Sequence, residues 1–215
     1  MGSDAGASKP RRKPRTDFAW NIPNILTLLR IGMVPLFAWM LLAHPHAQGW
    51  RLATTLVFIL AILTDTADGY IARKYNLITN FGKLWDSIAD KSLTGMGFIG
   101  LSLLGELPWW LTIVVLAREW GITVMRFVIL KYGVMSANKG GKLKTVIQAV
   151  ALPMFLIWLP DAPTAWVWLK WAMMILAVTL TMLTGLDYLN DAAKLRRASL
   201  AAGGLVDISK VREQK

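Results

Sequence analysis

Four aspartates, Asp65, Asp68, Asp86 and Asp90, stand beside long apolar runs in a 215-residue chain that is 55% hydrophobic. Carboxylates close to a bilayer interior are expensive, and where they persist they mark function. On a helix, Asp65, Asp68, Gly69 and Ala72 share one stripe, at offsets of zero, three, four and seven. Gly82, Asp86 and Asp90 recur every four residues and make a second stripe. The polar connection from Lys74 to Phe81 turns the chain back, so the stripes can face each other. Four converging carboxylates repel one another, and divalent cations are the natural remedy. A donor set of oxygens alone suits Mg²⁺ or Mn²⁺, and two such ions can clamp a phosphoryl group. Gly69 and Gly82 leave room for a ligand or backbone to approach, and Arg73 offers phosphate a forked guanidinium. Each feature has a plainer reading: aspartates at helix ends serve as solvated caps, and small residues at helical spacing serve as packing sites.

The elements that must position these residues are apolar runs near 25–43, 52–72, 87–105, 107–130, 143–159 and 164–189. Most approach the roughly 20 residues that cross a hydrocarbon core as helix. The fifth is short and holds Pro153, which a bundle tolerates where neighbours satisfy the freed carbonyl. The expected architecture is therefore an all-α integral membrane protein of six transmembrane helices. Lys and Arg fall on one side of it: Lys9 to Arg15, Arg73, Lys74, Lys83, Lys131, Lys139, Lys142, Lys144 and Lys194 to Arg197. The opposite connections, near 44–51, 105–109 and 160–165, hold Arg51 alone. That asymmetry places both termini in the cytoplasm and accounts for much of the net charge of +11. Trp50, Trp109, Trp110, Trp158 and Trp166 gather at the outer ends, as an aromatic belt does. The chain divides into a basic, disordered cytoplasmic stretch (1–20), a membrane catalytic domain (21–192) and a cytoplasmic tail (193–215). The first span is read as retained, because no cleavage site is evident.

The charge is explained by topology and inner-leaflet attraction, so no nucleic-acid partner is expected. With no cysteine, thiol catalysis, disulfides and cysteine metal sites are excluded. The two histidines, His44 and His46, fall in an outer loop on the far side from the aspartates and read as solvated.

The spacing D-x2-D-G-x2-A-R-x8-G-x3-D-x3-D, met without a gap by Asp65, Asp68, Gly69, Ala72, Arg73, Gly82, Asp86 and Asp90, resembles the signature of the CDP-alcohol phosphotransferases. The resemblance implies six transmembrane helices in a homodimer, embedded in the cell (inner) membrane. It further implies that CMP is displaced from a CDP-linked donor by an alcohol, with two divalent cations held by the four aspartates. Carried over, Asp65, Asp68 and Asp86 would be metal ligands, and Asp90 both a ligand and the general base. The acceptor hydroxyl would attack the donor's β-phosphorus in line, and the nucleotide would lie against Gly69, Ala72, Arg73 and Gly82.

Three further stretches, "NIPNILTLLR" (21–30), "AREWGITVMRF" (117–127) and "GGKLKT" (140–145), resemble the members of that family that use CDP-diacylglycerol as donor and glycerol 3-phosphate as acceptor. Asn24 and Thr27 could contact the donor, and a plain N-terminal cap is the competing reading. Arg118 and Arg126, unusual inside a span, would with Lys142 or Lys144 form a basic pocket for an anionic acceptor. Against that stand a structural pairing of Arg118 near Glu119 and an inner-leaflet role for the lysines. The rivals to this function are another acceptor (inositol phosphate, a phospholipid or serine) and a divalent-cation transporter.

Overall fold

A computed structural model describes residues 22–74, 80–129, 133–134, 139–202 and 206–207, with the side chains of 25–66, 85, 87–125, 128 and 143–197. Among these are six helices: α1 (Ile22–Ala43), α2 (Gln48–Lys74), α3 (Asn80–Leu103), α4 (Trp109–Ile129), α5 (Lys139–Leu156) and α6 (Thr164–Ala202). They match the six apolar runs one for one. Two two-residue strands, β1 (Gly133–Val134) and β2 (Val206–Asp207), pair in parallel and join the α4–α5 connection to the chain beyond α6.

Three helices are long and apolar enough to cross a membrane among the described residues: Ile25–Ala43, Gln48–Thr66 and Thr164–Arg197. At about 1.5 Å per residue, α3 (24 residues) and α4 (21 residues) also match a hydrocarbon core of about 30 Å. Leu29, Leu60, Ile113, Val124, Trp168 and Ile175 are all exposed, so the outer faces are apolar. Such a surface suits lipid and not water. The chain is an all-helical membrane protein.

Inside, α1 packs along both α2 and α3, whereas α2 and α3 touch each other only lightly; α6 lies against α5 and α4. Phe37 of α1 meets Phe58 of α2 with ring centroids 5.4 Å apart. Phe98 and Leu101 of α3 join the same core as Leu152 and Phe155 of α5. Helix α3 approaches closely because it is built from small residues at the contact. A Cβ on Gly100 would sit 2.4 Å from the Leu41 side chain, and one on Gly97 would meet Phe58 and Leu152 at 3.5–3.6 Å.

The end of α3 shows how local chemistry fixes a tertiary contact. Gly105 takes a φ of 74°, the left-handed conformation that ends a helix. Its N–H reaches back to the Ser102 carbonyl at 3.1 Å and that of Glu106 to Leu101 at 2.9 Å, the paired bonds of a Schellman cap. The cap delivers Glu106 to Arg51.

Arg51 corrects the sequence reading. It was expected as the single cation of the outer connections, yet it lies in the first turn of α2 and is fully buried. Its guanidinium donates to both carboxylate oxygens of Glu106 (2.6 and 3.0 Å), to the carbonyls of Phe155 and Leu156 (2.9 and 2.8 Å) and to that of Pro45 (3.2 Å). Three connections, α1–α2, α3–α4 and α5–α6, therefore meet at one end of the bundle. Trp158 stacks on the same guanidinium at 5.9 Å. His44 and His46 are exposed there, edge-on to Trp50 and Trp158.

Helix α6 also differs from expectation. It has 39 residues and continues past 189 to Ala202, because Ala192 and Leu195 are buried along its last turns. At about 1.5 Å per residue it is nearly twice as long as a hydrocarbon core is thick, so one end stands clear of it.

Candidate active site

Asp65 lies on α2 nine residues before its end at Lys74, and Asp90 lies in the first half of α3. Both side chains are partly exposed, as groups must be if they are to meet a ligand. Asp68, Gly69, Ala72 and Arg73 belong to α2, Gly82 and Asp86 to α3; their side chains lie outside the described residues, as do those of Asn24, Arg126 and Lys142. Among the described residues no three acidic or histidine side chains come together.

Helix α1 brings two residues to this region. Thr27 is buried one turn before Arg30, and Arg30, 1% exposed, donates through Nη1 to Oδ1 of Asp65. Sequence reasoning quoted the stretch ending at Arg30 but assigned that residue no role. The signal was available, since an arginine inside an apolar span needs an acidic partner.

A second charged cluster joins α4, α5 and α6. Oε1 of Glu119 accepts from Nη1 of Arg118 at 3.1 Å and from Nζ of Lys144. The other arm of Arg118, Nη2, donates to Thr184 of α6 at 2.7 Å. Its stem runs over Gly185, where a Cβ would come within 3.1–3.2 Å. One turn deeper, Gln148 of α5 donates to Thr181 of α6 at 3.1 Å. Asp90 is near enough to Lys144 for their charges to interact. Two expected acceptor residues, Arg118 and Lys144, are thus together on one carboxylate. Lys144 is buried and paired, and the side chain of Lys142 lies outside the described residues.

The carboxylates of Asp65 and Asp90 are hard oxygen donors of the kind that divalent cations take, and both are partly exposed and not sealed in the core.

The pattern of the CDP-alcohol phosphatidyltransferase family matches residues 20–183. The chain belongs to that family. It is similar to a "Probable phosphatidylglycerophosphate synthase" of Mycobacterium tuberculosis, 45% identical over 177 residues that cover 81% of this chain and 82% of the relative. A CDP-diacylglycerol–glycerol-3-phosphate 3-phosphatidyltransferase of Bacillus subtilis is 38% identical, covering 80% and 94% of the two chains. A cardiolipin synthase (CMP-forming) of Streptomyces coelicolor is 34% identical over 87% and 90%. The CDP-alcohol phosphatidyltransferase match takes in every residue of the aspartate signature and reaches into α6, so the expected family stands.

Proposed function

We propose that this CDP-alcohol phosphatidyltransferase moves a phosphatidyl group from CDP-diacylglycerol to glycerol 3-phosphate, giving phosphatidylglycerol phosphate and CMP. The observation that carries the reading is the buried cation pair of Arg118 and Lys144 on Glu119, with Lys144 within electrostatic reach of Asp90. A carboxylate there can take a proton from an acceptor hydroxyl while the two cations hold the acceptor's phosphate. The names of the mycobacterial and Bacillus relatives support the same pair of substrates. Asp65, Asp68, Asp86 and Asp90 would hold two divalent cations, Mg²⁺ or Mn²⁺. When bound, these supply charge neutralisation and Lewis-acid activation at the phosphoryl group. Arg73 would pair with the donor's diphosphate, and Gly69, Ala72 and Gly82 would keep its approach open. Asn24 and Thr27 would contact the donor from α1, and Arg126 and Lys142 would complete the acceptor pocket.

The protein's part is chiefly to position and to neutralise. Arg30 holds Asp65 in one orientation and offsets part of the acidic charge. The Asp90 carboxylate receives the proton as the acceptor oxygen approaches phosphorus. The setting we infer is the cell (inner) membrane, with both termini and the site cytoplasmic and the chain acting as a homodimer.

The Streptomyces relative is named for cardiolipin synthesis, which makes a phospholipid the rival acceptor. Purified protein in detergent should release CMP from CDP-diacylglycerol only when glycerol 3-phosphate is added. Release driven instead by phosphatidylglycerol would overturn the acceptor assignment. Mn²⁺ flux into vesicles without CMP release would overturn the transferase reading.

A further inference from the structure

Glu119 is the one acidic side chain that the described structure places against both Arg118 and Lys144. Adjacent residues on a helix point about 100° apart, so Arg118 and Glu119 do not ordinarily face each other. Here the guanidinium is bent round to its neighbour. Thr184 holds one arm, Glu119 the other, and Gly185 removes the side chain that would block the stem. The Nε of Arg118 is buried with no hydrogen-bond partner among the described residues. Lys144 comes from a different helix, and its side chain is 8% exposed. An ammonium so buried needs a fixed counter-charge to keep its place. Both cations reach the same carboxylate oxygen, so Glu119 sets the distance between them.

We propose that Glu119 is the positioning residue of the acceptor site, holding the Lys144 ammonium and the Arg118 guanidinium as a preformed pair for the phosphate of the acceptor alcohol. The inference rests on the proposed reaction and adds a residue to it. Arg118, Lys144 and Glu119 together carry one net positive charge, and Asp90 of α3 is the further acidic group within electrostatic reach of Lys144. Without Glu119 the pair would have no shared anchor, and the mutual repulsion of its members would drive them apart. The phosphate would then have to gather them itself, which weakens binding without altering the donor site or the base.

The test is steady-state kinetics of the full-length enzyme in detergent, varying glycerol 3-phosphate and CDP-diacylglycerol separately. Glu119→Gln should raise the KM for glycerol 3-phosphate roughly ten-fold or more, the worth of one charge-assisted contact, and leave the donor KM within about two-fold. In a Lys144→Met background the same substitution should cost less than in the wild type, because only the Arg118 half of the pair is left for Glu119 to hold. Glu119→Asp keeps the charge on a shorter arm and should recover part of the loss. It also serves as the test if Glu119→Gln fails to fold, an unchanged acceptor KM then counting against the proposal. An unchanged acceptor KM in Glu119→Gln, or effects that simply add to those of Lys144→Met, would overturn it. Wild-type enzyme that ignores glycerol 3-phosphate and uses another acceptor phosphate overturns the substrate assignment, whereas the Glu119 effect must still be seen on that acceptor's KM.

Discussion

Arg51 of α2 and Glu106 of the α3–α4 connection form a two-pronged ion pair, 2.6 and 3.0 Å, at the end of the bundle away from the aspartates. Every guanidinium nitrogen of Arg51 is hydrogen-bonded, and the side chain is wholly buried. Breaking a buried pair by removing one partner strands the other charge, at a cost of about 3–5 kcal/mol. Glu106→Gln should therefore lower the thermal midpoint in detergent by several degrees while both substrate KM values stay near wild type. An unaltered melting curve would show that the surrounding carbonyls satisfy Arg51 by themselves.

Arg30 of α1 pairs with Asp65 of α2, one of the four aspartates proposed to hold metal. Arg30→Gln should reduce turnover by roughly ten- to a hundred-fold, since a hydrogen bond to a charged group contributes about 1.5–3 kcal/mol. Arg30→Lys should recover only part, because an ammonium lacks the guanidinium's fixed fork. A melting curve close to wild type in both variants would separate loss of positioning from loss of folding.

Metal dependence is the direct check on the four carboxylates. Chelation should abolish CMP release, and Mg²⁺ or Mn²⁺ should restore it. Asp90→Asn should retain donor binding and lose turnover by several orders of magnitude, because the amide cannot accept the proton. Near-normal turnover in that variant would place the base elsewhere.

Topology can be tested with a reporter joined after Lys215. The convergence of three connections on Arg51 puts them all at one end, as the lysine and arginine bias required. A cytoplasmic readout is expected; an extracytoplasmic one would invert the assigned orientation.

Much of this was legible in the sequence because the bilayer imposes simple rules. Apolar runs of the right length became α1 to α6, with α5 short and holding Pro153 as expected. The family followed from eight residues at fixed spacing. What escaped were partnerships between helices distant in sequence. Arg51 looked like a loop charge because only its distance from the apolar run was visible, not the carbonyls and Glu106 that enclose it. Arg30 looked like part of a resemblance because Asp65 lies 35 residues away. That Lys144 reaches Glu119 of α4 likewise depends on packing, which the spacing of the lysines does not show.

The last prediction concerns the acceptor, whose identity depends on how much negative charge the cation cluster can hold. Arg118 and Lys144 lie together and share Glu119. A dianionic phosphate can engage both at once, whereas the phosphodiester of a phospholipid has a single charge and two lipid tails to place. Arg118→Ala and Lys144→Ala should each raise the KM for glycerol 3-phosphate by roughly ten- to a hundred-fold, as expected for losing about 1.5–3 kcal/mol of charge-assisted binding. The KM for CDP-diacylglycerol should remain within a few-fold. The two losses should fall short of additivity in the double variant, since both cations are tied to one carboxylate oxygen and each loss loosens the other. Variants that weaken the donor alone would move these cations to the nucleotide side of the site. Their acceptor partner would then be sought among Arg126 and Lys142.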